Sequence, residues 1–398
     1  MKIEIPGYVT ELMEVLYRHN YESYVVGGAL RNILLGLDVH DYDLTTNALP
    51  EEMEEVFSSW RTIETGIKHG TLTVLSHHHP VEITTYRLDA GYQDHRHPDA
   101  VRFSRSLKED CARRDFTINA LCYSPREGIL DFFHGQEDLR AKVIRCIGNP
   151  ADRFDEDALR ILRALRFAAR LSFTIEPETS RALREKKELL SYISRERIRE
   201  EFNGFLEAEG CVPLFKEYAD IFAMFLPIPS TGISNALYAS LSDTADNPYL
   251  RLAVLLTYID PDDYVSLLKE LKYSNAEIRL IKNMMTYRTL PAYTRYDIKN
   301  ICRYLGEDTE LYLSYRKAMD SSFPYDKAME TVQSIQETGE CCSLQQLAVN
   351  GNDMKEAGLD GPAIRLALEE CLKAVMSGRC ANIKEELLHL IQAKRKEG

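Results

Sequence analysis

The chain has 398 residues, 44% of them hydrophobic, and a formal net charge of −13. That length exceeds one ordinary domain and that apolar content fills packed cores, so about two to four structural units are expected. An acidic chain repels phosphates on average, which excludes the whole surface as a nucleic-acid platform and makes any RNA site a local one.

The opening stretch MKIEIPGYVTELMEVL has no basic segment leading into an apolar one, and no later stretch reaches about 18 uncharged apolar residues. Neither export nor membrane insertion is expected, and the protein reads as cytoplasmic. Nine cysteines are scattered without a CxxC pair, which reads as reduced thiols rather than disulfides or structural zinc.

Through the first third, the β-type runs SYVVGG, YDLTT, GTLTVL and VEITTYR alternate with helical patterns, as in a small mixed α/β domain. SYVV leads into GGALRNILLG, residues 27–36. A strand, two glycines and a helix start let backbone N–H groups approach a phosphate closely, and the helix dipole adds a favourable field. Arg31 falls one turn into that helix. Alone, such a Gly-Gly turn is more often structural.

Asp41-Tyr42-Asp43 follows after a short turn. Residues two apart in a strand share a face, so both carboxylates converge on one small volume, as suits a pair of Mg²⁺ ions bridging a triphosphate and an attacking hydroxyl. Glu82, in VEITTYR, offers either a third acidic group or an ordinary edge residue. The triple His77 to His79 reads as a solvated β-turn, because adjacent turn residues point different ways.

KEDCARRDFTINAL, residues 108–121, places Arg113 and Arg114 for charge-assisted contacts to phosphate, with Asp115 and Asn119 four apart on one helical face. From about Asp152 onward nearly every segment has helical spacing, interrupted by Pro and Gly clusters at 226–232 and 358–362. A helix is predicted over 156–171, with Leu159, Leu162, Leu165 and Ala169 on one side. Basic residues cluster at Arg102, Arg105, Lys108, Arg113 and Arg114, and again at Arg153, Arg160, Arg163, Arg166 and Arg170. By composition alone these are solvated faces.

In RFDEDALRILRALRFAARLSF, residues 153–173, Asp157 and Arg160 are three apart and neighbours if helical. One reading is a surface ion pair of little weight. The other is selection of a base without a template. Adenine and cytosine both show an amine donor beside a ring-nitrogen acceptor, whereas guanine and uracil show a carbonyl beside an N–H. A carboxylate next to a guanidinium complements the first pair and repels the second. Arg163 and Arg166 continue the spiral toward triphosphate or RNA backbone.

The set Gly27-Gly28, Asp41-x-Asp43, Arg113-Arg114-Asp115-Phe116-Thr117, Glu156-Asp157-x-x-Arg160-x-x-Arg163-Ala164-x-Arg166-Phe167 and Glu196-Arg197-Ile198 resembles the bacterial and eukaryotic class of CCA-adding enzymes and their poly(A) polymerase relatives, in the DNA polymerase β superfamily. The resemblance spans about half the chain. It implies an α+β fold, a polymerase β-like nucleotidyltransferase α/β head (1–145) followed by an all-helical neck (146–210), body (211–325) and tail (326–398). It also implies addition of the 3′-terminal CCA of tRNA from CTP and ATP, with Mg²⁺ as cofactor and pyrophosphate released. Gly28 and Arg31 would then meet the triphosphate, Asp41 and Asp43 the metal, Arg114 the nucleotide, Asp157 and Arg160 the base edge, and Arg163 and Arg166 further parts of the nucleotide.

One departure from the family is Asn32, where relatives commonly carry Asp. RLDAGYQDHRHP, residues 87–98, is similar to the loop that such enzymes need to switch from C to A addition, and GIKHGTLTV, residues 66–74, to the CCA type rather than the arginine-rich poly(A) polymerase type. The stretch beginning LAVNGNDMKEAGLDGP resembles the tail that grips tRNA. LRLAVLLTYID, residues 250–260, resembles a phosphohydrolase helix but carries Thr257 and Tyr258 where that activity needs His-Asp, so no second activity is expected. Alternatives are an A-adding enzyme, a poly(A) polymerase, and a non-catalytic RNA-binding protein on the same scaffold.

Overall fold

The computed structural model describes residues 3–63, 66–90, 100–228, 234–244, 246–259 and 263–397. It divides into two compact units, Met1–Thr231 and Gly232–Gly398.

The first unit begins with α1 (Gly7–Arg18), β1 (Ser23–Val26), α2 (Gly28–Leu35), β2 (Asp43–Thr46), α3 (Pro50–Val56) and β3 (Arg61–Ile63). There follow β4 (Thr71–Ser76), β5 (His79–Thr85), β6 (Arg87–Ala90), β7 (Ala100–Phe103), α4 (Leu107–Ala112), β8 (Cys122–Ser124) and β9 (Gly128–Leu130). Seven strands form one sheet in the order β3-β4-β5-β2-β1-β8-β9. Every neighbouring pair is antiparallel except β2 and β5, which run parallel. In β5, Val81, Ile83 and Thr85 are buried while Glu82 between them faces out. His77 and His78 form the β4–β5 turn with positive φ of 49° and 68°, and His77 meets Glu11 at 3.0 Å.

After α5 (Gly135–Ala141) and β10 (Val143–Ile144), the unit becomes helical: α6 (Pro150–Glu156), α7 (Leu159–Leu171), α8 (Pro177–Glu185) and α9 (Arg195–Leu206), then α10 (Cys211–Glu217) and α11 (Ala219–Phe222). A short strand missed by the helical spacing, β11 (Thr174–Ile175), pairs in parallel with β10. In α7, Leu159, Leu162, Leu165 and Ala169 are buried, and so are Ile161, Ala164 and Ala168. Apart from its last residue, Leu171, only Arg163, Arg166 and Arg170 interrupt this burial.

The predicted unbroken helix over 156–171 is wrong at its start. Asp157 is the C-cap of α6, with extended φ of −140° and ψ of 102°, and α7 begins at Leu159. The cause is local: Asp157 Oδ1 accepts the Leu159 backbone N–H at 3.1 Å, a contact that competes with the helical ladder. Two further corrections are smaller. Asp41 precedes β2 rather than sharing the strand with Asp43, and Asp115 and Asn119 do not lie on an α-helix, because the chain there forms a 3-10 turn, Thr117–Asn119. Of the predicted loop 87–98, the first four residues form β6, and 91–98 lie outside the described residues.

The second unit is helical throughout its described residues, from Asn235–Ser242 to Lys384–Glu397. Pro248–Ile259 packs on Asn275–Thr286 and Thr309–Met319. Thr257 Oγ1 donates to the Ala253 carbonyl at 2.8 Å and also meets Tyr315 Oη, and Tyr258 Oη meets Ser240 Oγ at 2.9 Å. At the C-terminal end Val349, Met354, Ala367, Cys371, Leu387 and Ile391 form a separate core.

Candidate active site

Between β1 and α2, Gly27 has φ of +68°, a conformation open to glycine at little cost. A Cβ on Gly27 would stand 3.4 Å from Arg114 Nη1, and one on Gly28 would stand 3.5 Å from Arg31 Nη2. The glycine pair thus leaves the backbone bare beneath two guanidinium groups. Val26, the residue before them, pairs with Asp43, and Asp43 pairs in turn with Glu82 in parallel register. Asp43 and Glu82 therefore stand side by side on one face, with Asp41 just ahead of the strand. Desolvation by surrounding protein, then the negative charge of Glu82, push the Asp43 carboxyl up; Arg114 opposes this and Asp41 adds to it. A carboxylate crowded by like charges is a site that favours a cation.

Two chemically distinct walls face this acidic edge. In the first, Asp110 is fully buried and holds Arg113 through Nε and Nη2 at 3.0 and 2.8 Å, and Arg114 through Nη2 at 3.3 Å. Burial would raise the Asp110 carboxyl, but Arg114 and Arg113 outweigh it and hold it below the usual range. A chain of contacts runs on from there. Asp115 accepts from Asn119 Nδ2 at 3.0 Å and Arg163 Nε at 2.8 Å, and Asn119 Oδ1 accepts Arg31 Nη1 at 2.7 Å. Asn32 Oδ1 takes Arg31 Nε and Nη2 at 3.1 and 2.9 Å. Arg31 is buried against these neutral amides, and desolvation, with nearby Arg170, Arg166 and Arg163 added to it, lowers its guanidinium to about 10. Arg31 itself has only neutral amide partners among these contacts, and a cation so placed suits an anion.

The second wall is the junction of α6 and α7. Arg160 is buried; its Nη1 donates to the Arg153 carbonyl and to Glu156, and its Nη2 to the Arg113 carbonyl at 2.9 Å. Asp157 turns instead to Arg197, whose Nη2 reaches Asp157 Oδ2 at 3.1 Å. The expected neighbours therefore reach the same place by separate supports rather than as an i, i+3 pair. Farther along α7, Arg166 Nε donates to Glu201 at 2.6 Å and Arg163 stands 3.6 Å from the same carboxylate. The guanidinium carbons of Arg31, Arg163 and Arg166 lie 4.6 to 5.2 Å from the centre of the Phe167 ring.

Gly28, Arg31, Asp41, Asp43, Arg114, Asp157, Arg160, Arg163 and Arg166 all line one cavity of about 950 Å³. Its lining carries nine arginines against four aspartates in a chain of net charge −13, so the positive field is local. Glu82 lines a smaller adjoining recess with Asp43, Arg113 and Arg114. Sequence reasoning passed over Asp110 and Glu201, and assigned no role to Phe167 or Arg197. The only linear signal of Asp110 and Glu201 is acid and base at helical spacing, such as Asp110 with Arg113, which an exposed helix shows as readily.

A model for the poly A polymerase head domain matches residues 23–145, one for an RNA and SrmB-binding site of polymerase A matches 172–227, and one for a tRNA nucleotidyltransferase domain 2 matches 246–391. The CCA-adding enzyme of Lactobacillus gasseri is 36% identical, over 96% of this chain and 97% of that one. That of Streptococcus mutans is 33% identical over 96% and 95% of the two chains. Among solved structures, the Bacillus stearothermophilus CCA-adding enzyme in complex with CTP superposes with a TM-score of 0.84 at 29% identity, covering 99% of each chain. With motif residues gathered at one cavity and relatives matching from end to end, the chain belongs to the family of CCA-adding enzymes, which are nucleotidyltransferases.

Proposed function

We propose that this protein adds or repairs the 3′-terminal CCA of tRNA in the cytoplasm, transferring nucleotides from CTP and ATP without a nucleic-acid template and releasing pyrophosphate. The observation that carries the reading is the meeting, in one cavity, of an acidic edge at Asp41 and Asp43 with a carboxylate and a guanidinium at Asp157 and Arg160. The first suits phosphoryl chemistry and the second suits recognition of a base edge.

In this reading Asp41 and Asp43 hold Mg²⁺, which prefers one or two carboxylates and completes its shell with water and phosphate oxygens. The crowding of Asp43 by Glu82 and Asp41 fits that role, and Glu82 stands where it can brace or join the pair. Bound there, the metal supplies activation of the primer hydroxyl and charge neutralisation on the leaving pyrophosphate. Gly28, Arg31 and Arg114 receive the triphosphate on bare backbone and guanidinium groups, and Arg163 and Arg166 hold the rest of the nucleotide, braced by Asp115 and Glu201. Each Asp157 oxygen already accepts one hydrogen bond and keeps lone-pair capacity for the base amine. Arg160 donates toward the ring nitrogen. The division into head, neck, body and tail at 145, 210 and 325 belongs to the same proposal.

The test is product length on tRNA transcripts ending before CCA, after C and after CC, with each nucleotide offered alone. Addition of C to the first two and A to the third supports the reading. Growth only on the third identifies an A-adding enzyme, and long A tails a poly(A) polymerase.

A further inference from the structure

Arg31 is held differently from its neighbours in the cavity. Arg114, Arg160, Arg163 and Arg166 each meet a carboxylate within 3.3 Å, from Asp110, Glu156, Asp115 and Glu201 in turn. The Arg31 guanidinium donates instead to two amide oxygens, Asn119 Oδ1 at 2.7 Å and Asn32 Oδ1 at 3.1 and 2.9 Å. The Asn32 side chain has a second hold, because its Nδ2 donates to the Asp38 carbonyl at 3.1 Å. A guanidinium only donates and a carbonyl only accepts, so each end of the amide has the partner it requires and its orientation is fixed. Asp38 lies in the segment between α2 and β2 that leads to Asp41, so one amide ties Arg31 to the approach of the acidic edge. A carboxylate in place of that amide would set an oxygen against the Asp38 carbonyl. It would also cancel much of the field of Arg31 on a ligand, whereas an amide oxygen fixes the guanidinium and leaves its charge.

We infer that Asn32 is a positioning residue for the triphosphate: its amide holds the Arg31 guanidinium beside the Gly27-Gly28 turn without pairing its charge, which stays available to the incoming anion. The inference rests on Arg31 meeting the triphosphate. Asn32 itself touches no phosphate and acts through Arg31. Two consequences follow from that division. Loss of the amide matters only while Arg31 is present, and a charge put in its place is felt in proportion to the charge on the ligand.

Equilibrium binding of CTP, ATP, CMP and inorganic pyrophosphate to the full chain tests this apart from turnover. N32A removes the hold and adds no charge. It should weaken CTP, ATP and pyrophosphate a few-fold in the parent and nothing further in an R31A background, since two changes that act through one group do not add. N32D keeps an acceptor for Arg31 but brings a negative charge beside the ligand. It should weaken CTP and ATP roughly three- to tenfold, and CMP, which carries less charge, by less. N32D binding CTP as the parent does, or losing CTP and CMP by the same factor, overturns the inference, and so does an N32A loss as large with R31A as without it. If N32D does not fold, the N32A cycle decides alone. If R31A by itself binds CTP and pyrophosphate as the parent does, the placing of Arg31 at the triphosphate fails first, and the inference falls with it.

Discussion

Asp43 and Asp110 are both carboxylates beside Arg114, and their surroundings push them opposite ways. Asp43 faces the open cavity among like charges, whereas Asp110 is enclosed and paired twice. Asp43→Ala, like Asp41→Ala, should lower both C and A addition by at least about 10³-fold, several kcal/mol of transition-state stabilisation, while tRNA affinity changes little. Near-normal turnover in single-turnover assays would remove the metal assignment. Asp110 has a structural part. Asp110→Asn leaves two half-buried guanidinium groups short of a fully buried counter-charge and should cost about 3 kcal/mol at neutral pH. Because the folded carboxyl lies below its unfolded value, its contribution is complete above the unfolded pKa of about 4 and is lost as pH falls through the folded one. The gap in urea stability between parent and variant should therefore narrow below about pH 4; a gap that is constant with pH would contradict the pairing.

At the scale of elements, the site depends on how closely α9 lies on α7. A Cβ on Gly204 would stand 2.7 Å from Arg166 Cδ, and Arg166 is also pinned by Glu201. Gly204→Ala gains about 0.5–1 kcal/mol of helix preference, which offsets the crowding, so stability should change little. Arg166 must move, however, and KM for both nucleotides should rise several-fold with less effect on kcat. An unchanged KM would show that Arg166 does not touch the nucleotide. The segment after β6 belongs at this scale too. In the proposed function, adding A after two Cs asks the same Asp157 and Arg160 to receive a larger base, which calls for a change of pocket shape. Deleting 91–96 should leave C addition working and cripple A addition, read from product length on transcripts ending before CCA; equal slowing of both would exclude the segment as the switch.

For the whole molecule, an acidic chain has to bind an RNA through a local basic surface. With nine arginines lining the cavity, four aspartates beside them and a net charge of −13, few phosphates are neutralised at once. The logarithm of tRNA affinity should fall with the logarithm of salt concentration with a slope of about −2 to −4, since each contact to a single strand contributes about 0.7. A slope near −10 in filter binding would point to an extended basic face instead.

Four strands of the head (β1, β2, β4 and β5), the Gly-Gly turn into α2 and the buried side of α7 were legible in the sequence, because periodicity and glycine chemistry act within a few residues; β3 and β6 to β9, short runs without such a pattern, were not. The residues that meet at the candidate cavity were legible for a different reason: the motifs carry carboxylate, guanidinium and bare backbone in plain order along the chain. What only the tertiary structure decided is how those groups are held. The break at Asp157 arises because its carboxylate finds a backbone N–H and Arg197, forty residues on, more favourable than a helical turn. Glu201 as the brace of Arg163 and Arg166, and Asp110 as the anchor of Arg113 and Arg114, follow from burial. A charge becomes decisive when water is excluded from around it, and that exclusion is a property of the packed chain rather than of any segment of it.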